Sequence, residues 1–167
     1  MIEFKKVEEN EADIKILAQL ASKIWHEYWN GKITNAQIDY MLDKFQSEHA
    51  IPKQIKNENY VYFYIIQDGQ KAGYFALAPQ NDYLFLSKIY IGKDYRYKGV
   101  GAQAFEFIKK FAKEKNHNKI RLTVYKYNSN SIAAYRKWGF EITDSIVTDI
   151  GCGFVMDDYV MEYNIKI

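Results

Sequence analysis

The sequence is poor in the features that would cross-link a chain, segment it or place it in a membrane. Its 167 residues include one cysteine, Cys152, and two prolines. A single cysteine excludes an internal disulfide and agrees with a reducing compartment. No apolar run approaches the roughly 18 residues of a membrane-spanning helix, and the start, "MIEFKKVEEN", does not resemble a signal peptide. We therefore expect a cytoplasmic protein with no membrane partner.

Charge and metal-ligand spacing argue against two further classes. The chain has 23 basic and 21 acidic residues, a formal net charge of +2, whereas nucleic-acid binders usually carry a strongly basic face. Its three histidines lack metal-ligand spacing and no second cysteine is present, so we predict no metal and no nucleic-acid partner. The 15 tyrosines stand out, but Tyr combines an apolar ring with a polar tip, and its abundance alone indicates no function.

The order of predicted elements indicates an α/β fold. No linker, repeat or low-complexity stretch interrupts the chain, so we expect one domain covering residues 1–167. A first strand precedes two amphipathic helices, the second opened by Thr34, and a short helix is one interpretation of the segment near Pro52. Three strands follow, with a hairpin at Asp68-Gly69. A long helix, a strand, a short helix closed by Gly139 and two final strands, the last "YVMEYNIKI", complete a sandwich with a mixed sheet.

Two glycines and two basic residues stand at the start of the long helix, in "YRYKGVGAQAFEF". Helix N-termini carry unpaired N–H groups and a partial positive charge, and they bind anions. Gly99 and Gly101 let a ligand approach the backbone, while Arg96 and Lys98 add charge, which favours a phosphate or pyrophosphate site. Alternatively, the glycines only form a turn and the basic pair is solvated. The pattern is neither a P-loop nor a dinucleotide-binding fingerprint.

The run from Arg96 to Gly101 resembles the Arg/Gln-x-x-Gly-x-Gly/Ala motif of the GNAT superfamily, the acetyl-CoA-dependent N-acetyltransferases. A second block, "VYKYNSNSIAAYRKWGFE", is similar to that superfamily's next motif: an Asn after a strand, a helix with a Tyr, then Gly-Phe opening a strand. The predicted element order also matches. The resemblance implies a mixed, mainly antiparallel sheet of six to seven strands with flanking helices, in which a splayed strand pair holds acyl-CoA.

The resemblance also implies where acetyl-CoA binds. The strand end would pair with the pantetheine amides like an added strand, through Ile89, Tyr90 and Ile91. An N–H near Ile91 would face the thioester oxygen and stabilise its developing negative charge. The residues of the pyrophosphate loop would be Arg96, Tyr97, Lys98, Gly99, Val100, Gly101 and Ala102.

Two residues of the second motif receive candidate roles by resemblance. Tyr135 matches the position that often protonates the departing thiolate, and a phenol with a pKa of about 10 keeps its proton at neutral pH; the alternative is a core aromatic, for which Trp138 is the better candidate. Asn128 either holds the pantetheine or only caps its helix. Some members carry a Glu base at the position occupied here by Phe85, so the base is left open between water and another group such as Tyr90.

The acceptor is the least defined part of the prediction. We expect acetyl transfer to a primary amine of a small molecule, for which a polyamine is one candidate, by direct attack in a ternary complex. A peptide or protein amine is the alternative, and an acyl-CoA-binding regulatory protein is the non-enzyme alternative. Tyr28 and Trp29 are the candidate acceptor contacts, with Trp29 expected off the buried stripe that includes Trp25. Asp157 and Asp158, expected in the last loop, either attract a cation or are solvated. A homodimer is compatible with the resemblance.

Overall fold

The computed structural model describes residues 1–165, so Lys166 and Ile167 of the predicted final strand lie outside the described residues. Within that range no helix is both long and apolar enough to cross a membrane. The strands are β1 (Ile2–Lys6), β2 (Val61–Gln67), β3 (Gln70–Pro79), β4 (Leu84–Ile91), β5 (Lys119–Tyr125), β6 (Glu141–Gly151) and β7 (Phe154–Asn164). The helices are α1 (Glu11–Trp29), α2 (Asn35–Phe45), α3 (Ala50–Asn57), α4 (Val100–Glu114) and α5 (Ser129–Trp138). The expected element order is confirmed, and the segment near Pro52 is helical.

The chain divides into two compact units, and β4 contributes residues to both. The first comprises Met1–Ala78 and Lys88–Ala104; the second comprises Pro79–Ser87 and, of the described residues, 105–165. In the first unit β1, β2 and β3 pair antiparallel. In the second, β5 runs parallel to the start of β4 and antiparallel to β7, which also pairs antiparallel with β6. The expected mixed, mainly antiparallel sheet is confirmed, with seven strands in the described residues; a single domain stays a prediction.

Helix α1 extends its buried stripe further than expected. Asn10 caps the helix by accepting a hydrogen bond from the Asp13 N–H (2.9 Å), and the helix ends at Trp29, before Gly31. Trp29 is only 6% exposed, so the expectation that it lies off the stripe is wrong. The reason is helical spacing, because Trp29 follows Trp25 by four residues and therefore lies on the same face.

A buried hydrogen-bond network in the first unit accounts for several of the tyrosines. Trp25 Nε1 donates to the Tyr74 hydroxyl (2.8 Å), which donates to Gln46 Oε1 (2.6 Å). Gln46 Nε2 donates to the Tyr62 hydroxyl (3.1 Å), which donates in turn to Gln54 Oε1. Because each polar tip has a partner, these rings fill the core without a buried unsatisfied group. Burial raises the pKa of both tyrosines, so they stay protonated.

Strands β3 and β4 come into close contact at a single glycine. A Cβ on Gly73 would lie 2.2 Å from the Tyr90 carbonyl oxygen and 3.0 Å from Ile91 Cα. Both obstacles are backbone atoms, which cannot rotate away as a side-chain end can, so only glycine fits here. Gly73 therefore fixes the position of two residues that the resemblance assigns to the pantetheine arm.

We predict that Gly73→Ala lowers the free energy of unfolding by about 2–3 kcal/mol, because the added methyl forces the backbone of β4 away. Acetyl-CoA binding should weaken as well, since Tyr90 and Ile91 must move. Denaturant titration and calorimetry measure the two effects. Gly153→Ala is the matched control: φ is +79° and no atom lies within 4 Å of its Cβ, so only the backbone cost of about 1 kcal/mol applies. Equal effects of the two variants would contradict the prediction.

The second unit has an aromatic core on one face of its strands. Phe105 of α4 stacks on Trp138 of α5, with ring centres 5.1 Å apart and planes at 10°. The same Phe105 ring meets Tyr163 of β7 edge-on at 5.1 Å. Gly139 ends α5 with φ of +105°, the left-handed C-cap that the sequence predicts. The helix that carries Tyr135 is therefore held by both a cap and ring packing.

The turn between the last strands is tighter than expected. Gly151, Cys152 and Gly153 all have positive φ, from +54° to +95°, and β7 already begins at Phe154. Asp157 and Asp158 consequently lie within a strand, so the expectation that they occupy the loop is wrong. Three consecutive left-handed residues reverse the chain in a short distance, which leaves more residues for pairing between β6 and β7.

Candidate active site

The loop before α4 presents a run of unpaired backbone donors. From Tyr97 to Ala102 no N–H group donates to a carbonyl of the described residues; the first such bond runs from the Gln103 N–H to the Gly99 oxygen (3.2 Å). Tyr97 (φ +62°) and Gly99 (φ +78°) adopt left-handed backbone conformations. Alternation of left- and right-handed residues turns successive N–H groups toward one point, and a 15-residue helix adds its positive end. The loop therefore presents converging donors of the kind that suit an anion.

Arg96 turns its side chain back toward β4. Its Nε donates to the Ile91 carbonyl oxygen (2.8 Å), and its Cζ lies 5.2 Å from the centre of the Tyr28 ring. Its Nη2 is buried and makes no hydrogen bond to any residue within the described range. A buried donor without a partner is costly, and a ligand oxygen would satisfy it. Arg96 thus ties the loop to the end of β4 and retains one donor.

Lys98 and Tyr97 form the outer side of the loop. Lys98 Nζ donates to the Asp94 carbonyl oxygen (2.9 Å), which holds the ammonium near the donor run. Tyr97 is 94% exposed, so its contribution to the loop is its backbone geometry. The positive charge expected here therefore comes from Lys98 at the surface and from Arg96 beneath it.

The end of β4 lies against an aromatic cluster of the first unit. Ile89, Tyr90 and Ile91 are its last three residues. The Tyr90 ring packs on Trp25 at 5.1 Å, on Tyr74 at 5.9 Å and on Tyr28 at 6.0 Å between ring centres. After the strand, the Gly92 N–H donates to the Ala72 carbonyl oxygen (2.8 Å). The strand end is thus fixed by side-chain packing on one face and by hydrogen bonds around it.

Tyr28, a candidate acceptor contact, lies between cationic groups. Lys32 Nζ is 3.8 Å from the centre of its ring, and the Arg96 guanidinium faces the same ring. Burial and the charge of Arg96 lower the pKa of Lys32. Trp29 meets the Tyr28 ring edge-on at 4.9 Å and is itself buried. Of the two candidates, only Tyr28 offers a partly exposed ring, and its surroundings are positively charged.

Lys88 is a candidate site residue that the sequence analysis missed. It immediately precedes Ile89 on β4, and its Nζ lies 5.7 Å from the centre of the Tyr60 ring and 5.9 Å from that of Phe45. Burial lowers its pKa to about 8, partly opposed by the charge of Glu58. A lone lysine in "LFLSKIYI" is typical of the solvent face of a strand. The feature of the sequence that points to a functional role is its place directly before Ile89, the first residue predicted to bind the pantetheine arm.

Asn128 lies in the second unit at the start of α5 and is 6% exposed. Its N–H donates to the Tyr125 carbonyl oxygen (2.9 Å), and its own carbonyl accepts from the Ile132 N–H (3.0 Å). The side chain, however, makes no capping hydrogen bond. Asn128 is therefore the N-cap residue by its backbone, as one alternative has it, but its amide side chain does not serve as the cap; its role toward the pantetheine stays a prediction.

Tyr135 lies in the same helix and is half-buried. Its ring meets Trp138 edge-on at 5.6 Å and Phe140 at 5.9 Å. Trp138 is the ring that stacks on Phe105, but Tyr135 and Trp138 are both half-buried, so burial does not single out Trp138 as the core residue of the pair. Tyr135 is packed along one side and partly accessible, an arrangement suited to a fixed proton donor.

These features fit one class of ligand. Six consecutive N–H groups, the unsatisfied Nη2 of Arg96 and the ammonium of Lys98 all select for oxygen atoms of an anion, and a diphosphate offers several. Within residues 1–165 no three His, Cys, Asp or Glu side chains come together as a metal-binding group; the expectation of no metal stays a prediction. The loop therefore offers a set of donors suited to an anion with several oxygen atoms.

Comparison with known proteins identifies the class. Residues 18–140 match the acetyltransferase (GNAT) family, and the chain belongs to that family. It is an N-acetyltransferase, as the resemblance of the two motifs implied, and this finding counts against the regulatory, non-enzymatic alternative.

Individual relatives are distant but cover most of the chain. An uncharacterised N-acetyltransferase of Lactobacillus delbrueckii subsp. lactis is 23% identical, covering 81% of this chain and 83% of the relative. Spermidine N(1)-acetyltransferase of Thermoplasma acidophilum is also 23% identical, covering 87% and 90%. The crystal structure of PaiA N-acetyltransferase from the same organism, in complex with coenzyme A, has a TM-score of 0.81 at 22% identity, covering 98% of this chain and 99% of that one. The Escherichia coli ribosomal-protein-S18-alanine N-acetyltransferase has a TM-score of 0.72 at 19% identity, covering 100% and 96%.

Proposed function

We propose that the enzyme transfers an acetyl group from acetyl-CoA to a primary amine of a small molecule, by direct attack in a ternary complex. The observation that carries this proposal is the run of free N–H groups from Tyr97 to Ala102 in a chain of the acetyltransferase (GNAT) family. These donors fit a pyrophosphate, the group of acetyl-CoA that most needs fixed hydrogen bonds and positive charge. A solved relative with coenzyme A bound supports the same assignment.

In this proposal the first unit binds and orients acetyl-CoA. The backbone from Tyr97 to Ala102 holds the pyrophosphate, and Lys98 neutralises part of its charge. Ile89, Tyr90 and Ile91 pair with the two pantetheine amides through their main chain. Arg96 keeps the strand end and the loop in register through its bond to the Ile91 carbonyl oxygen (2.8 Å). When bound, acetyl-CoA supplies the activated acetyl carbonyl.

The remaining chemistry falls to an oxyanion donor and a proton donor. The backbone N–H near Ile91 stabilises the negative charge that grows on the carbonyl oxygen during attack. Tyr135 donates its proton to the departing sulfur, for which its packing against Trp138 and Phe140 fixes the ring. Asn128 holds the pantetheine arm with a side chain that does not serve as a helix cap.

Two relatives support different acceptor amines. The spermidine acetyltransferase of Thermoplasma acidophilum supports a small amine, and the E. coli S18-alanine acetyltransferase supports a peptide N-terminus as the second candidate. The positive surroundings of Tyr28, with Lys32 Nζ 3.8 Å from its ring centre, repel a second ammonium. Tyr28 therefore fits an uncharged or anionic part of the acceptor better than the distal amine of a polyamine.

A panel of amines tests the proposal. Spermidine, lysine, an aminoglycoside and a peptide with a free N-terminus are each mixed with acetyl-CoA and enzyme, and release of the CoA thiol is followed. We expect turnover with at least one small amine, and a product one acetyl group heavier by mass spectrometry. Turnover with the peptide alone would favour the second candidate, and thiol release equal to that without enzyme for every amine would contradict the proposal.

A further inference from the structure

Asp158 of β7 is a buried carboxylate that the packing of the protein does not explain. It is 6% exposed, and within residues 1–165 its carboxylate forms no hydrogen bond and no ion pair, although its main chain belongs to the sheet. Lys126, the cation whose charge acts on Asp158, pairs with the neighbouring carboxylate instead, with Nζ 2.9 Å from Asp157 Oδ1. Burying a carboxylate without a partner is costly, and such groups are retained mainly where function requires them.

Strand register shows which face of the second unit carries this carboxylate. Arg121 and Glu162 are cross-strand partners on β5 and β7, and their side chains form an ion pair at 2.7 Å. Asp158 is four residues before Glu162, so strand alternation places it on the same face. Tyr163 points to the opposite face, where it contacts Phe105 of α4. Asp158 is therefore buried on the face that α4 does not cover.

The position of Asp158 along the sheet is equally informative. Its cross-strand partner is Tyr125, the last residue of β5, and the Tyr125 carbonyl oxygen accepts the Asn128 N–H at the turn into the helix of Tyr135. Within the second unit, β4 pairs with β5 only at Leu84↔Ile120 and Phe85↔Arg121. Asp158 thus lies at the end of β5 from which the chain turns into the helix of Tyr135, beyond the two pairs that join β4 to β5.

We propose that Asp158 is the catalytic base that removes a proton from the acceptor's ammonium group. This role rests on the proposed acetyl transfer, since an amine that is protonated at neutral pH cannot attack a carbonyl carbon. Phe85 occupies the strand position at which some members of the superfamily carry a Glu base, and its side chain is apolar. Among the described residues, Asp158 is a buried carboxylate whose oxygen atoms form neither a hydrogen bond nor an ion pair. It can therefore accept a proton without breaking an existing interaction.

The proton and electron balance of the step is complete. Asp158 takes one proton from R–NH₃⁺, and the freed nitrogen lone pair forms the N–C bond as the carbonyl π pair moves to oxygen. When the C=O bond re-forms, the C–S bond breaks, and Tyr135 gives its proton to the leaving sulfur. The nitrogen loses its second proton, which restores Tyr135, and Asp158 releases its proton to solvent. The products are the amide, the CoA thiol and one proton.

The charged groups around Asp158 suit a base that works near neutral pH. Burial and the negative charge of Asp157 raise its pKa to about 6, partly opposed by Lys126. Across the strands, its partners are Tyr125 of β5 and the apolar Ile146 of β6, while Asp144 of β6 pairs with Val160, two residues further along β7. The carboxyl is therefore ionised at pH 7 yet basic enough to accept a proton.

The test compares wild type with Asp158→Asn, and with Asp157→Asn as matched control, using the amine that turns over fastest in the panel. Asp158→Asn should lower kcat/KM at pH 7 by about 100-fold or more, with acetyl-CoA affinity unchanged. Wild-type kcat/KM should rise with pH up to about 6 and then level off. In the variant it should instead rise tenfold per pH unit toward the pKa of the amine, because only the neutral amine then reacts. Asp157→Asn should keep the wild-type kcat/KM at pH 7, with the low-pH rise moved to lower pH because a negative charge that raises the pKa of Asp158 is removed.

Folding of the variant is checked by its melting temperature. In wild type the folded chain holds the Asp158 proton more tightly than the unfolded chain, so stability falls as pH rises from about 4 to about 6. Asp158→Asn should therefore melt above wild type at pH 8 and close to it at pH 4; Asp158→Ser serves if the Asn variant does not fold.

Three results would overturn the inference. A variant within tenfold of wild type, or one whose loss is uniform over pH with the wild-type profile retained, would show that Asp158 is not the base. The base would instead be Lys88 if the rise of kcat/KM with pH were lost in Lys88→Met and kept in Asp158→Asn. A wild type inactive with every amine would instead refute the proposed function, and the inference with it.

Discussion

Replacing Gly99 and Gly101 together by Asp should weaken acetyl-CoA binding by about 100-fold or more, since a like charge beside a bound anion costs several kcal/mol. Two carboxylates would stand where the loop now offers free N–H groups, and both would face the pyrophosphate. Gly99 also has φ of +78°, a conformation that favours glycine. Calorimetric titration of acetyl-CoA into both proteins measures the effect.

The control for this variant separates charge from backbone strain. Gly99 and Gly153 have almost the same φ, +78° and +79°, and neither has an atom within 4 Å of its Cβ position. Gly153→Asp therefore carries a comparable backbone cost in the hairpin between β6 and β7, away from the donor run in sequence and in unit. It should bind acetyl-CoA as wild type does. If the Gly99→Asp, Gly101→Asp double variant folds and binds acetyl-CoA with wild-type affinity, the loop does not hold the pyrophosphate.

Tyr135→Phe should lower kcat by about 10²–10⁴-fold, the usual contribution of a general acid, while acetyl-CoA affinity changes little. The substitution removes only the hydroxyl, and the ring contacts with Trp138 at 5.6 Å and Phe140 at 5.9 Å can remain. Steady-state kinetics with the best amine of the panel, together with calorimetry, measures both quantities.

Tyr127→Phe is a suitable control, because Tyr127 is 74% exposed and its ring contacts Tyr125 at 5.4 Å. It should retain wild-type kcat. An unchanged kcat in Tyr135→Phe would mean that the thiolate leaves without this proton donor, and equal losses of affinity and kcat would point to a positioning role for Tyr135.

Features that are local in the sequence were predicted well. The hairpin at Asp68-Gly69 is confirmed by positive φ at both residues, and the helix caps by Thr34 and Gly139 follow from short-range hydrogen bonding. The donor loop is also local, since the three residues between Arg96 and α4, together with the first turn of α4, form it. Each of these depends on neighbours within a few positions, which is the range at which sequence patterns are informative.

Features that depend on distant pairings were missed or misplaced. Gly73 matters only because β4 brings the Tyr90 carbonyl oxygen to within 2.2 Å of its Cβ position, a contact that no pattern near residue 73 indicates. Lys88 and Asp158 look like ordinary polar positions in strands, and only the packing of the fold shows that Asp158 is buried and that burial lowers the pKa of Lys88. Trp29 was predicted to lie off the buried stripe of α1, whereas the structure buries it on that stripe. In each case the missing information is which strand face or neighbour the fold supplies.

The most direct test of the central claim is a calorimetric comparison of acetyl-CoA with acetyl-pantetheine, which lacks the pyrophosphate and the nucleotide. If the N–H groups from Tyr97 to Ala102 hold the pyrophosphate, acetyl-CoA should bind at one site per chain, and acetyl-pantetheine should bind about 100-fold more weakly or worse, since several charge-assisted hydrogen bonds are lost. Equal affinities for the two, or no saturable binding of acetyl-CoA, would contradict the account.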